Sequence, residues 1–322
     1  MLRNKTYLKI LFTLLGTIIA IAIGYAIYFS KNYPLPITNR ISFDAKIKFI
    51  RENIDIDTVD TIIVGSSIGL NNIQGYYLEK ASKKCNSVLN FSIYESSAFQ
   101  IEQLLKLMGA FPNLKRIIYS AQFSDFQPQA RYKNYDPIFL SQYMRDELSQ
   151  IEYLTLLFNS CKNIFFCINR QREWQKKHSM NNKFTYLEFD STGSVPLHIY
   201  GKDIIERRWA HPHGHLQVPS TFKAVDRISK KLYDHGIQLY FVQQPYRYPL
   251  TIGKYQYVDD VINSFGKRIT KIITNRNGHF LSLHKELHLK DKYFADRSHL
   301  NDQGSILSAK AIAKFIDECE TH

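Results

Sequence analysis

The chain has 322 residues, 44% of them hydrophobic, which is enough for one large folded domain with a substantial core. Its 42 basic and 29 acidic residues give a formal net charge of +13, which favours anionic surroundings such as phospholipid head groups or anionic polymers. The basic residues are scattered and form no helix-turn-helix, RRM or zinc-finger pattern, so nucleic acid is not an expected partner. A coding bias towards Lys and Asn explains the charge equally well.

Residues 10–30 form an apolar run without a charged side chain. About 20 apolar residues in a helix cross a hydrocarbon layer of roughly 30 Å, so the run predicts one transmembrane helix. Residues 1–9 contain three basic side chains, which predicts a cytoplasmic tail and a domain on the outer side. A cleaved signal peptide is the alternative, but the run is long and no clear cleavage site follows it, which favours a retained anchor.

Residues 31–54 contain two prolines and are predicted to be a linker to the folded domain at 55–322. In that domain, short β-branched or apolar runs alternate with helical patterns, which predicts an α/β fold with a parallel sheet and helices on both faces. The predicted strands are 60–64, 87–91, 115–119, 238–242 and 279–283. The predicted helices are 72–84, 99–110, 221–236, 258–274 and 302–316.

The alternation stops in the aromatic and Asn-rich stretch 126–220, which is predicted to be an insertion, partly helical around 141–166. Two of the four cysteines, Cys161 and Cys167, lie in this stretch. They could form a disulfide in an exported domain, and free buried thiols are an equally good interpretation.

The first predicted strand ends in Gly65-Ser66-Ser67. A small-residue turn after a central parallel strand places the next side chain at the carboxyl edge of the sheet, where α/β sites form. Serine is a weak nucleophile unless a base and an orienting carboxylate assist it. The segment Asp296-Arg297-Ser298-His299 offers both, because an Asp three residues before a His on a turn can fix the tautomer of the imidazole.

These two blocks resemble those of the SGNH/GDSL hydrolase superfamily, which has a Gly-x-Ser block after its first strand and an Asp-x-x-His block before its last helix. The resemblance covers about residues 55–125 and 220–318. It implies a flavodoxin-like three-layer sandwich with a parallel sheet. It also implies a catalytic triad of Ser67, His299 and Asp296.

The double serine and the N-terminal helix look closest to the membrane-anchored acyltransferase-like branch, which includes the D-alanyl transfer protein of teichoic-acid modification and the alginate O-acetylation proteins. The resemblance implies a bacterial cytoplasmic membrane and a catalytic domain on its outer side. An acyl donor, a glycan or polymer acceptor and a membrane-embedded acyltransferase are the partners it suggests, and no cofactor is expected.

The middle blocks differ from the family pattern. Ser92 stands where the family has a Gly whose backbone N–H binds the oxyanion, and that N–H is expected to serve here. Gln122 stands near the place of the family's Asn, and its amide is the second expected oxyanion donor, although a polar residue at the edge of the core is an equally good interpretation. These departures favour a specialised acyltransferase over a simple esterase, and they leave a non-catalytic binding or assembly protein as the alternative function.

Four further residues are candidate substrate contacts. Arg208 and Trp209 precede the motif His-Pro-His-Gly-His at 211–215 and are placed to contact an anionic acceptor. Tyr246 and Arg247 follow the fourth strand at the same sheet edge. The three histidines lack an adjacent acidic ligand and the spacing of a helical metal pair, so a loop lining the cleft is favoured over a metal site.

Overall fold

The sheet at the centre of the protein has five parallel strands in the order β2-β1-β3-β4-β5, as a computed structural model shows. The structure describes residues 2–127, 135–161, 164–179, 185–205 and 218–321. The strands are β1 (Thr61–Gly65), β2 (Val88–Asn90), β3 (Arg116–Ala121), β4 (Gln238–Gln243) and β5 (His279–Ser282). All five predicted strands are confirmed, and this strand order is that of flavodoxin-like doubly wound sheets.

Alternate residues of each strand face opposite layers of the core. Ile62 and Val64 of β1 point into a large apolar cluster that includes helices α5, α9 and α10, whereas Ile63 points into a second cluster with α4 and α12. The helices are α1 (Leu2–Asn32), α2 (Ile41–Asn53), α3 (Ser67–Asn72), α4 (Gly75–Ala81), α5 (Ala98–Leu104), α6 (Pro137–Met144), α7 (Gln150–Cys161), α8 (Ile164–Ser179), α9 (Pro219–Asp234), α10 (Gln256–Ile273), α11 (Leu283–Leu287) and α12 (Asp302–Cys319). The α/β class with a parallel sheet is thereby confirmed.

Three elements differ from the sequence predictions. The helix expected at 99–110 is α-helical only up to Leu104 and continues as a 3-10 helix, Leu105–Ala110. The helix expected at 72–84 is replaced by two shorter ones, α3 and α4, and the first begins at Ser67 because the Ser66 hydroxyl caps it. The linker expected at 31–54 contains helix α2, which buries Phe43, Ile47 and Ile50 in the large cluster. This part of the chain belongs to the folded domain.

In the described part of the stretch 126–220, three α-helices lie wholly inside it: α6, α7 and α8. Cys161 and Cys167 form a disulfide between the end of α7 and the start of α8. Both helices pack against α1.

Helix α1 contains a segment, Lys5–Asn32, that is long and apolar enough to cross a membrane, with a mean hydropathy of 2.4 in its most apolar window. Only 6% of that window is buried by the rest of the protein, although Phe29 near the end of α1 packs into the large apolar cluster of the domain. A signal sequence would satisfy the same criteria.

Candidate active site

The predicted nucleophile lies where β1 passes into α3. Ser67 is the first residue of α3, and the preceding Ser66 caps the helix by accepting a hydrogen bond from the N–H of Ile68 at 3.2 Å. Gly65 is required by the close approach of β3, because a Cβ there would lie 2.4 Å from the carbonyl oxygen of Ser120. The neighbours of β1 in the sheet are β2 and β3, so Ser67 lies at the point where the strand order reverses, which is where doubly wound sheets bind ligands.

The three predicted triad residues are brought together. His299 Nε2 lies 2.9 Å from Ser67 Oγ, and His299 Nδ1 lies 2.9 Å from Asp296 Oδ2. A carboxylate only accepts hydrogen bonds, so Nδ1 carries the imidazole proton and Nε2 is left to accept from the serine hydroxyl. The side chain of His299 is 23% exposed, so a substrate can reach it.

The loop that carries the histidine is held in place by its own aspartate. Asp296 Oδ1 accepts hydrogen bonds from the backbone N–H groups of Ser298 at 2.9 Å and of His299 at 2.8 Å. The other oxygen of the same carboxylate is thereby directed at the imidazole. This explains why an Asp three residues before a His is an effective spacing on a turn.

A residue that the sequence analysis did not select ties this loop to the nucleophile's helix. Asn72 is the last residue of α3 and is completely buried. Its amide nitrogen donates to the carbonyl of Ser298 at 2.9 Å, and its amide oxygen accepts from the N–H of Leu300 at 2.8 Å. The two bonds hold the backbone on either side of His299, so one short helix supplies the nucleophile at one end and fixes the base at the other.

The electrostatics of the site favour an ionised Asp296 and a basic His299. Burial alone would raise the pKa of Asp296, but the charge and hydrogen bond of His299 and two backbone N–H groups hold that pKa well below its usual range. Burial alone would lower the pKa of His299, but the charge and hydrogen bond of Asp296, together with the charge of Asp125, raise it above its usual value.

Asp125 is a second carboxyl group at the site. It is buried after β3, where Oδ2 accepts from the N–H of Gln122 at 2.8 Å. Burial raises its pKa to about 6, although a hydrogen bond with the Ser66 side chain, the Gln122 N–H and the charge of His299 act in the opposite direction. Because the pKa of this carboxyl group is about 6, the charge next to the base changes with pH in the physiological range.

The expected oxyanion role of Ser92 requires correction. Its backbone N–H donates to Asn90 Oδ1 at 3.0 Å, and the next N–H, that of Ile93, donates to the carbonyl of Gly65 at 3.0 Å. The Ser92 hydroxyl is buried against Gly69 of α3 and has no hydrogen-bond partner in the described part of the chain. The N–H of Ser92 is therefore occupied by the scaffold and is not offered to a substrate.

Gln122 follows β3 and is buried, as expected of a residue at the sheet edge. Its amide nitrogen donates to the carbonyl of Pro245 at 2.7 Å, which ties the end of β3 to the segment after β4. One amide proton is used in this way. The contribution of the other to an oxyanion site stays a prediction.

The remaining predicted contacts are placed as follows. Tyr246 is 3% exposed and packs on Phe123, so its side chain belongs mainly to the core beneath the site. Arg247 forms an ion pair with Asp291, and its N–H donates to the carbonyl of Arg297 in the triad loop. Arg208, Trp209 and the motif at 211–215 lie outside the described residues. Over the residues that are described, no group of three His, Cys, Asp or Glu side chains is placed to hold a metal ion.

No protein-family model matches the chain, and no curated protein matches it significantly. The candidate site therefore rests on its own geometry.

Proposed function

We propose that the protein is a membrane-anchored serine acyltransferase or esterase of the SGNH/GDSL type, acting on acyl esters of a cell-envelope glycan or polymer. The observation that carries the proposal is the position of His299, which lies 2.9 Å from both Ser67 Oγ and Asp296 Oδ2. These are the contacts that a serine nucleophile, its base and the orienting carboxylate need.

The chemistry runs in two halves. Ser67 Oγ attacks the carbonyl carbon of an acyl ester while its proton passes to His299 Nε2. The ester C–O bond then breaks, the departing alcohol takes the proton from His299, and the acyl group stays on Ser67. In the second half a sugar hydroxyl or water gives its proton to His299 while its oxygen attacks the carbonyl carbon of the acyl-serine. The bond between that carbon and Ser67 Oγ then breaks, Oγ takes the proton from His299, and the product leaves.

The proposed location is the outer face of a cytoplasmic membrane. Helix α1 is suited to span the bilayer, and the basic residues before its apolar run favour a cytoplasmic N-terminus. The Cys161–Cys167 disulfide supports this side, because disulfides persist in oxidising compartments. An anchor that keeps the domain close to a membrane acyl donor favours transfer over hydrolysis.

The test uses the full chain in detergent micelles with p-nitrophenyl acetate. Release of p-nitrophenolate is expected from the wild type and from Ser264→Ala, an exposed serine on α10, but not from Ser67→Ala. Mass spectrometry should show an acetyl group on Ser67 in the wild type. Equal turnover by the wild type and Ser67→Ala would refute the triad.

A second candidate function is a non-catalytic binding or assembly protein with the same fold. The observation that favours it is the engagement of the Ser92 and Ile93 N–H groups by the scaffold, because this removes two donors from the vicinity of Ser67. A fluorophosphonate probe separates the two functions. Labelling of Ser67 supports the enzyme, whereas a folded chain that binds glycan but leaves Ser67 unlabelled supports the binding protein.

A further inference from the structure

The start of α8 and the end of α7 present large apolar side chains to the exterior. Phe158 of α7 is 51% exposed and Phe166 of α8 is 47% exposed, and Phe165 beside it is exposed as well. The disulfide between Cys161 and Cys167 joins the two helices at this end. We call residues 158–161 and 164–168 the hairpin tip.

Two hydrogen bonds define how α8 lies beside the anchor helix. Tyr25 Oη of α1 donates to Gln171 Oε1 of α8 at 3.0 Å, and Gln175 Nε2 donates to Tyr33 Oη at 3.0 Å. Tyr33 directly follows α1, and its N–H still donates to the carbonyl of Phe29 in the helix. The residue number therefore increases in both segments from the first contact to the second. The two helices therefore run in the same direction, and the start of α8 points towards the N-terminal, apolar part of α1.

The depth of the hairpin tip follows from helix geometry. Tyr25 is itself within the apolar run 10–30. Phe166 precedes Gln171 by five residues, which at a rise of 1.5 Å per residue is about 7.5 Å further along α8. If α1 spans the bilayer, this displacement carries the hairpin tip away from the aqueous side and into the acyl-chain layer.

The charge pattern of α8 agrees with this placement. Its first residues are apolar, and its second half carries Trp174 and three exposed basic residues, Arg172, Lys176 and Lys177, against one exposed acidic residue, Glu173, which pairs with Lys177 at 3.0 Å. Tryptophan is enriched at the membrane interface, and Lys and Arg favour the phosphates of anionic lipids. The same order, apolar then basic, is seen at the end of α1, where Lys31 follows the apolar run.

We propose that the hairpin tip inserts into the outer leaflet beside α1, with its phenylalanines among acyl chains and the basic half of α8 at the head groups. This gives the domain a second membrane contact and fixes its orientation on the bilayer. The proposal rests on the membrane anchor of the proposed function and is independent of the Ser67 chemistry.

The test measures tryptophan quenching by lipids brominated in their acyl chains. The full chain, with Trp174→Phe and Trp209→Phe, is placed one copy per nanodisc of phosphatidylglycerol and phosphatidylcholine, which excludes contact with a second copy. One tryptophan is then added as Phe158→Trp, as Ile21→Trp in the anchor, or as Ile138→Trp. Ile138 is the matched control, because it is 72% exposed but belongs to α6, which packs on α2.

Strong quenching is expected for Phe158→Trp and Ile21→Trp, and none for Ile138→Trp. Quenching at position 21 without quenching at 158 overturns the inserted hairpin and leaves the anchor in place. Absence of quenching at both positions overturns the anchor and the hairpin together.

A second measurement keeps both native tryptophans. Photoreactive benzoylphenylalanine in place of Phe158 should give lipid adducts on illumination in native membranes, and the same residue in place of Ile138 should not. Adducts to protein alone at position 158 would show a protein partner at this surface and overturn the lipid assignment.

Discussion

Removal of the Asn72 side chain tests whether the base is positioned from the nucleophile's own helix. Asn72→Ala removes two hydrogen bonds of 2.8 and 2.9 Å and leaves the N–H of Leu300 and the carbonyl of Ser298 without their partner. An unsatisfied buried group costs about 1–3 kcal/mol, so the free energy of unfolding should fall by about 2–6 kcal/mol. The backbone on both sides of His299 is released at the same time.

The effect on catalysis should be separable from the loss of stability. A displacement of about 1 Å in a reacting group lowers the rate about 10²-fold, so kcat should fall by about that factor while KM changes little. Asn71→Ala is the matched control, because Asn71 is equally buried in α3 but donates to the carbonyl of Val195, away from His299. It should lose stability and keep kcat.

The assay is ester hydrolysis at a temperature where urea unfolding shows both variants to be folded. Asn72→Asp refines the result, because its carboxylate still accepts from the Leu300 N–H but, when ionised, no longer donates to Ser298. Its kcat should lie between those of the wild type and Asn72→Ala. Equal kcat in the folded Asn71→Ala and Asn72→Ala proteins would show that the Asn72 bonds are structural and do not position His299.

Three other predictions follow from charges and cross-links. Activity should fall as the pH drops through the raised pKa of His299, because the protonated imidazole cannot accept the Ser67 proton. Asp296→Asn removes the charge that raises this pKa, so the acidic limb of the kcat/KM profile should move to lower pH and kcat should fall about 10³–10⁴-fold. The double variant Cys161→Ser and Cys167→Ser should lower the free energy of unfolding by about 2 kcal/mol, measured in urea, because the closed loop is short. Burial holds the pKa of Lys46 well below its usual value. Between the folded and unfolded pKa values the unfolded chain binds more protons than the folded one, so the free energy of unfolding should rise with pH until the unfolded pKa is reached. Lys46→Met should flatten this rise, measured by urea unfolding at a series of pH values below the unfolded pKa.

The sequence predicts those parts of the fold in which the local hydrophobic pattern matches the way the element is buried. The run from Thr61 to Val64 is fully buried between two layers of helices, so an apolar β-branched sequence is what the position requires. Helices α9 and α10 present one apolar face to the core and a polar face to water, which the 3.6-residue period reveals. The pairing of Asp296 with His299 is predictable because the two residues are three apart on one turn, whereas the contact of His299 with Ser67, 232 residues away in sequence, is expected only from the family resemblance.

The sequence pattern predicts a linker in place of helix α2 because charged residues interrupt the apolar face of this helix. Lys46 is completely buried, and its amine donates to the carbonyls of Asn90 and Gly193. Asp44, also buried, pairs with Arg170 of α8 at 3.0 Å. These partners lie more than 40 residues away in sequence. A charged residue is expected to be exposed, and the partners that allow its burial are brought to it only by the tertiary structure.

The oxyanion donors also depend on tertiary contacts that the sequence does not reveal, and their number directly affects kcat. Whether a backbone N–H is free depends on every acceptor near it, and the N–H groups of Ser92 and Ile93 already have acceptors. The first N–H groups of a helix have no partner within it, so the N–H of Ser67 at the start of α3 remains as a donor. Each missing oxyanion donor costs about 10²–10³-fold in kcat. The described scaffold therefore predicts that the turnover of small esters and the labelling of Ser67 by a fluorophosphonate are both slow, because each reaction places negative charge on an oxygen beside Ser67.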